Sequence, residues 1–177
     1  MRALATGARI REFMRQVGLT GPRPLSVFLT GGASAVLSGW RETTVDIDLE
    51  LDPEDDDVLR EMVRLKDVLD VNVELASPAH FIPPPPGWRE RSSFIMREGN
   101  ISFFHYDFYA QALAKIERCH EKDIEDVRAM VRLGLVEPWE LRRHFGAIKE
   151  SLFRYPALDP PTFEARLERF LSELGPG

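Results

Sequence analysis

The amino-acid sequence predicts an α+β protein, with a small mixed β-sheet backed by helices and a mainly helical C-terminal half. Short apolar segments bounded by glycine, proline and aspartate predict strands within residues 1–107, whereas apolar residues at helical spacing dominate residues 108–177. A length of 177 residues with 44% hydrophobic residues suits one domain or a small core with a helical appendage. We therefore expect a sheet-containing core over residues 1–107 and a helical region over 108–177 packed on it, or one single domain.

The first half of the chain alternates predicted helices and strands. An amphipathic helix starts near Leu4 and ends near Gly18, a short helix follows Gly31-Gly32, and a third begins with Asp52 as its N-cap. The segments LSVFLT, VDIDLEL and VNVELA have the composition or alternation of strands, and SFIMREGNISFFHYD predicts a hairpin that turns at Gly99-Asn100. These segments give five strands, whose order the sequence does not determine.

The second half is predicted to be helical beyond an extended segment. Four consecutive prolines in SPAHFIPPPPGW exclude a helix there and favour an extended chain. Helical spacing of apolar residues then predicts four helices, in the segments FYAQALAKIERC, KDIEDVRAMVRLG, PWELRRHFGAIKESLFRY and TFEARLERFLSEL. Gly134 ends the second of these helices, and Pro138 opens the third.

The segment Val27–Leu51 combines two features that suit phosphate chemistry. Gly31 and Gly32 follow an apolar strand and precede a short helix, so the backbone can approach a phosphate and helix N–H groups point towards it. Ser34 adds a hydroxyl that can bind a phosphate oxygen or cap the helix. On the next strand Asp46 and Asp48 are one residue apart and so face the same side, where carboxylate oxygens can hold divalent metal ions.

This arrangement resembles the nucleotidyltransferase superfamily that includes DNA polymerase beta. The matching residues are the glycine pair in Thr30–Ser34 and the Asp-x-Asp of Val45–Leu49, with 13 residues between Gly32 and Asp46. Within that superfamily the sequence is most similar to the AbiEii/MenT-type toxin-like nucleotidyltransferases and their uncharacterised bacterial relatives. The resemblance implies a nucleotidyltransferase-type sheet and a site that uses Mg²⁺ or Mn²⁺.

Further site residues follow from the resemblance. Glu74 on the predicted strand VNVELA would complete the metal site with Asp46 and Asp48, with Asn72 as a neutral substitute. Lys115 corresponds to a lysine near the nucleotide triphosphate, and its alternative is a surface lysine whose amine reaches solvent. Asp126 corresponds to a later aspartate of the same families.

The alternatives for that later aspartate and its neighbour are structural. Asp126 could simply form an ion pair near Lys122 or Arg128, and Asp123 is expected to cap its helix.

A few other residues have weaker functional interpretations. Arg41, Thr43 and Thr44 precede the aspartate strand, where ordinary loop polarity is the favoured explanation. Trp88, with Arg89 and Arg91, could stack on a base, although packing of Trp88 in the core is favoured. The histidines, His105 among them, show no metal-ligand spacing.

Composition restricts the cellular context and the partners. A single cysteine excludes a disulfide framework, the first residues lack a signal-peptide pattern, and no apolar run approaches membrane-span length, so a cytoplasmic location is expected. Residues 42–74 contain 13 acidic and 3 basic residues, whereas residues 87–154 contain 11 acidic and 12 basic ones. With a net charge of -6, duplex DNA is not an expected partner, and a polyanion would need bound metal or cations from the second half.

The expected function is therefore transfer of a nucleoside monophosphate from an NTP to a hydroxyl group. The resemblance implies an RNA acceptor such as tRNA, or a protein acceptor, together with a toxin-like role and a cognate antitoxin as partner. The alternative is a non-catalytic member of the same fold that binds a nucleotide or a partner protein. An RNA-binding structural protein is disfavoured by the acidic charge.

Overall fold

A computed structural model describes residues 2–175 of the chain. The chain divides into two compact units. Of the described residues, the sheet unit comprises 2–77 and 92–106, and the helical unit comprises 78–91 and 107–175. The proline run therefore belongs to the helical unit, together with the helices of the second half.

The sheet unit contains a mixed five-stranded sheet, which confirms the predicted fold class. A separate two-stranded sheet consists of β1 (Ala5–Thr6) and β3 (Thr43–Thr44). The strands of the five-stranded sheet are β2 (Leu25–Thr30), β4 (Asp46–Asp52), β5 (Asn72–Leu75), β6 (Ser93–Glu98) and β7 (Ile101–His105). The order across the sheet is β5-β4-β2-β7-β6. The β2–β4 and β6–β7 pairs are antiparallel, whereas β2–β7 and β4–β5 are parallel. The hairpin predicted at Gly99-Asn100 joins β6 and β7.

One face of this sheet forms the apolar core of the unit. Helices α1 (Gly7–Thr20) and α3 (Asp56–Val68) contribute Phe13 and Leu65 to the same buried cluster as Leu29 and Ile47 of the central strands. Burial alternates strictly along β4, so Ile47 points into this core while Asp48 points to the opposite face. The core thus fixes which side of β4 carries the carboxylates.

Two predicted helix starts in this unit are wrong. Leu4 is 51% exposed and precedes α1, because the chain first forms β1 and the helix is capped by Thr6. Asp52 remains in β4, where it pairs with Ser26, and the cap of α3 is Asp55. The Asp55 carboxylate accepts hydrogen bonds from the N–H groups at positions 57 and 58 at 3.0 and 3.2 Å. Because β2 pairs with Asp52 and Asp55 supplies the cap, α3 begins at Asp56, later than predicted.

The helical unit contains the predicted helices of the second half. They are α5 (Phe108–Arg118), α6 (Glu121–Arg132), α7 (Pro138–Ile148) and α8 (Pro160–Glu173). The unit also contains α4 (Trp88–Arg91), a short helix that was not predicted, while α2 (Gly31–Leu37) lies in the sheet unit. The segment predicted to extend α7 to Tyr155 instead forms a 3₁₀ helix over Lys149–Arg154. Within residues 2–175, no helix combines the length and apolar character that crossing a membrane requires.

The glycine pair of α2 generates the first prediction. A Cβ added at Gly32 would overlap Thr44 Oγ1 and lie 2.7 Å from Thr44 Cβ. Because this neighbour is a packed β-branched side chain, Gly32→Ala should lower the free energy of unfolding by roughly 1–3 kcal/mol. The matched control is Gly7→Ala, whose new methyl group would lie 3.8 Å from Val36 Cγ1, an ordinary contact. Urea unfolding that gives equal stability for the two variants would contradict this account of the turn.

Candidate nucleotide and metal site

A row of polar side chains crosses three adjacent strands of the sheet unit. Thr30 at the end of β2 pairs with Asp48 on β4, and Asp48 pairs with Glu74 on β5. Asp46 lies one pleat earlier on β4 and pairs with Asn72. Asp46 and Asp48 are both half-buried, and their Cα atoms are about 6.6 Å apart along an extended strand. The sequence therefore correctly predicted a shared face for the two aspartates.

Gly31 and Gly32 at the start of α2 are here called the glycine turn, which lies directly against one of these carboxylates. Gly31 has φ of +56°, a conformation that favours glycine, and a Cβ added there would lie 2.6 Å from Asp48 Oδ2. Thr44 donates a hydrogen bond from Oγ1 to the carbonyl oxygen of Asp46 at 3.1 Å, and Gly32 packs against the same threonine. The first two residues of α2 are thus held against β3 and β4 by contacts that only glycines permit.

Asn72 links two of the predicted metal ligands. Its Nδ2 donates hydrogen bonds to Asp46 Oδ1 at 2.5 Å and to Glu74 Oε1 at 3.1 Å. Glu74 is exposed, and among residues 2–175 no group of three or more histidine, cysteine, aspartate or glutamate side chains has the arrangement of a metal site. The site residues that the structure brings together on this face are thus the two aspartates and the glycine turn, with Glu74 beside them and held by Asn72.

The donor set of this face suits a hard divalent cation. Mg²⁺ is usually bound through one or two carboxylates, with substrate phosphates and water supplying the other oxygen ligands. Asp46 and Asp48 supply such a pair of carboxylates, and the carboxylate of Asp48 lies directly against Gly31 at the start of α2. The residues present therefore fit a metal ion that is completed by a bound nucleotide.

Ser34 lies in an environment that the sequence did not reveal. It is fully buried, and its Oγ lies 2.7 Å from Nδ1 of His105, at the end of β7. Burial lowers the pKa of His105 to about 4, and the positive charge of Arg11 contributes in the same direction. Since 71 residues separate the two partners, no local pattern could indicate this contact. The proposed role of Ser34 in phosphate binding stays a prediction.

The helical unit contains a buried cluster of charges around Lys115. Lys115 on α5 is 5% exposed, and its Nζ lies 2.7 Å from Asp126 Oδ2 and 3.3 Å from Asp123 Oδ1 on α6. Arg118 also pairs with Asp123, at 2.8 Å. The alternative of a solvent-reaching lysine is therefore wrong, because the amine is satisfied inside the unit.

The contacts of Asp123 and Asp126 in this cluster differ from the structural alternatives that the sequence suggested for them. Asp123 does not cap α6, which begins at Glu121 after His120, since its carboxylate is held by cations of α5. Asp126 forms an ion pair, as one alternative expected, but its partner is Lys115 rather than a cation of its own helix. A direct role of Lys115 or Asp126 towards a nucleotide stays a prediction.

The aromatic residue after the proline run is packed rather than available for stacking. Trp88 is 8% exposed, and the guanidinium of Arg89 lies 4.4 Å from its ring centroid. Arg91 binds the carboxylate of buried Asp107 through Nε and Nη2, at distances of 2.7 to 3.2 Å. The favoured interpretation of Trp88 as a core residue agrees with this packing.

Comparison with known proteins identifies the family to which the chain is similar. A family model described as "Nucleotidyltransferase of unknown function (DUF6036)" matches residues 8–152. The matched range includes the glycine turn, both aspartates of β4 and the Lys115 cluster. No curated protein and no solved structure matches the chain. The resemblance to nucleotidyltransferases is therefore confirmed, whereas the AbiEii/MenT-type relationship stays a prediction.

The half-buried histidine His105 generates a prediction about pH. Because the pKa of His105 is about 4 in the folded protein and near 6.5 when unfolded, the unfolded state binds the proton first as the pH falls. The stabilising contribution is therefore complete above pH 6.5 and is lost between about pH 6.5 and 4. Urea unfolding at pH 7 and pH 4.5 should show that the wild type loses roughly 2 kcal/mol more than His105→Gln. Equal losses in the two proteins would contradict the burial of a neutral imidazole.

Proposed function

Because the chain belongs to the DUF6036 family of nucleotidyltransferases of unknown function, we propose that it is a metal-dependent enzyme that transfers a nucleoside monophosphate from an NTP to a hydroxyl acceptor. The observation that supports this most strongly is the proximity of Asp48 to the glycine turn. A Cβ at Gly31 would lie 2.6 Å from Asp48 Oδ2, so a phosphate at the turn would be adjacent to a carboxylate able to share its metal ion.

In the proposed site, Asp46 and Asp48 hold Mg²⁺ or Mn²⁺, with Glu74 as a third ligand. The metal supplies charge neutralisation of the phosphates and activation of the acceptor hydroxyl. Glu74 is opposite Asp48 in the sheet, and its exposure leaves its carboxylate accessible. The hydrogen bond from Asn72 gives Asp46 a fixed orientation, as the partners of metal ligands usually do.

The proposed nucleotide-binding residues are Gly31, Gly32, Ser34 and Lys115. The two glycines are proposed to offer backbone N–H groups at the start of α2 as hydrogen-bond donors to the phosphate. Ser34, whose hydroxyl lies against His105, supports the turn from within and is proposed to bind a phosphate oxygen. The resemblance alone supports the proposed roles of Lys115, which would neutralise phosphate charge, and of Asp126 as a further catalytic residue.

The acceptor and the biological role are parts of the same proposal. An RNA such as tRNA, or a protein, would supply the hydroxyl group, and a toxin-like enzyme of this kind would be controlled by a cognate antitoxin. The supporting observation is the resemblance of the glycine pair and the Asp-x-Asp strand to the AbiEii/MenT-type proteins.

A non-catalytic nucleotide-binding protein is the second candidate, and a specific observation favours it. The Glu74 carboxylate accepts a hydrogen bond from Asn72 at 3.1 Å, and the metal-binding arrangement of three side chains is absent from the described residues 2–175. Two carboxylates can still bind a metal–nucleotide complex without promoting transfer. NTP binding that requires metal, combined with no transfer to any RNA or protein acceptor, would establish this alternative.

The metal site generates a binding prediction. Asp46→Asn keeps the size of the side chain and removes its charge, so it should weaken Mn²⁺ binding at least about tenfold. The control is Glu42→Gln, which removes the same charge from an exposed residue of the sheet unit. Calorimetric titration with Mn²⁺ should separate the two variants. Equal weakening would mean that bulk acidity, rather than this pair of aspartates, binds the ion.

Catalysis generates a second prediction for this site. Asp48→Ala should reduce transfer of label from α-labelled NTP to total RNA or protein at least about 100-fold, because charge stabilisation and positioning supply most of the rate. All four NTPs are assayed with Mg²⁺, and Glu54→Ala, an exposed residue of the same unit, is the control. Transfer that persists in Asp48→Ala would refute the proposed mechanism.

A further inference from the structure

A groove on the helical unit is lined mainly by arginine side chains. It lies between the C-terminal end of α5 and α8 and has a volume of about 530 Å³. Its described lining residues include no aspartate or glutamate; they are Arg118, Cys119, Thr162, Ala165, Arg166 and Arg169. On a chain whose net charge is -6, three guanidinium groups in one groove form a local concentration of positive charge.

Among the described residues, each of the three guanidinium groups makes its hydrogen bonds through one terminal nitrogen. Arg166 donates from Nη1 to the carbonyl oxygen of Glu117, and Arg169 contacts Cys119 Sγ through Nη2 at 3.3 Å. Arg118 donates from Nη2 to Asp123 Oδ1 at 2.8 Å. A guanidinium carries five N–H donors, so these contacts orient the groups and leave further donors in each guanidinium.

A second groove adjoins the first. It has a volume of about 290 Å³, shares Cys119, Arg166 and Arg169 with the first, and is also lined by Arg128, Glu121 and Glu173. There Arg128 pairs with Glu173 at 2.7 Å. The two grooves together are therefore longer than a site for one small anion, and Arg166 and Arg169, which line both, lie about one helical turn apart on α8.

We propose that this surface, the arginine groove, binds the phosphate backbone of a single-stranded polynucleotide. Guanidinium groups match phosphate oxygens with paired hydrogen bonds, and three of them line the first groove, whose described lining residues include no carboxylate. Phe81 is 39% exposed beneath Arg118, with the guanidinium 5.3 Å from its ring centroid, and supplies an aromatic surface for a base. A role for the bound strand as the acceptor rests on the proposed function, whereas the binding itself does not.

Binding is tested with a fluorescein-labelled 12-nucleotide single-stranded RNA in EDTA, without metal or NTP, and followed by anisotropy. Arg166→Gln/Arg169→Gln should weaken binding at least about tenfold in 50 mM salt. The slope of log affinity against log salt should become shallower by about 1.4, because each lost phosphate contact on a single strand contributes about 0.7. Glu173→Gln, which removes a carboxylate that lines the second groove and pairs with Arg128, should tighten binding.

Two controls make the result specific. Arg142→Gln removes an exposed arginine that pairs with Glu168 on the same unit, outside both grooves, and should bind RNA as the wild type does. The Arg166→Gln/Arg169→Gln variant should keep its circular dichroism spectrum and its Mn²⁺ affinity; if it fails to fold, Arg169→Gln alone, whose contact is with a thiol, replaces it.

Three outcomes would overturn the proposal. The first is that the wild type does not bind RNA, and the second is that the Arg166→Gln/Arg169→Gln and Arg142→Gln variants bind RNA equally. The third is that inorganic phosphate displaces the RNA at a concentration equal to that of the RNA phosphate groups, which would indicate a site for single anions. A single-stranded DNA of the same sequence shows whether the sugar is read. If RNA binds as predicted but no transfer from NTP occurs, the proposed function fails while the groove assignment stands.

Discussion

The close approach between the glycine turn and the start of β4 is the constraint on which the candidate site depends. Gly31 allows the Asp48 carboxylate to lie where a side chain would otherwise stand, and Gly32 does the same for Thr44. Any larger residue would push β4 away from α2. The same two positions therefore create both the shape of the turn and the proximity of a carboxylate to a potential phosphate site.

The sheet provides the rigid support that this approach needs. Residues such as Ile47 and Leu49 are fully or almost fully buried against the helices, which fixes the pleat of β4 and directs Asp46 and Asp48 to the other face. A slip of one residue would bury the carboxylates and expose the core, so the register is strongly determined. Carboxylates so close on one surface repel each other, and a bound cation would relieve that repulsion.

Sequence patterns predicted features that depend on neighbouring residues. The mixed sheet, the hairpin at Gly99-Asn100 and the shared face of Asp46 and Asp48 follow from alternation and turn chemistry. Patterns failed where distant partners decide the outcome. Asp52 remains in a strand because β2 pairs with it, and Ser34 faces a histidine that lies 71 residues away.

The Lys115 cluster shows the same limit for charged residues. Helical spacing placed Lys115 among apolar neighbours but did not reveal that Asp123 and Asp126 surround its amine inside the unit. Removing one member of a buried ion pair is typically strongly destabilising, because it leaves an uncompensated charge. Loss of activity in a Lys115 variant would therefore report on catalysis only if the fold and its stability were measured alongside.

The central claim is that the glycine turn and the β4 carboxylates form one site, in which metal and triphosphate bind together. The most direct measurement is NTP affinity by calorimetry, with and without Mg²⁺, in the wild type and in Asp48→Asn. The account predicts that Mg²⁺ tightens NTP binding at least about tenfold in the wild type and has little effect in the variant, because metal shared between carboxylate and phosphate couples the two ligands. Equal NTP affinity with and without Mg²⁺ in the wild type would contradict it.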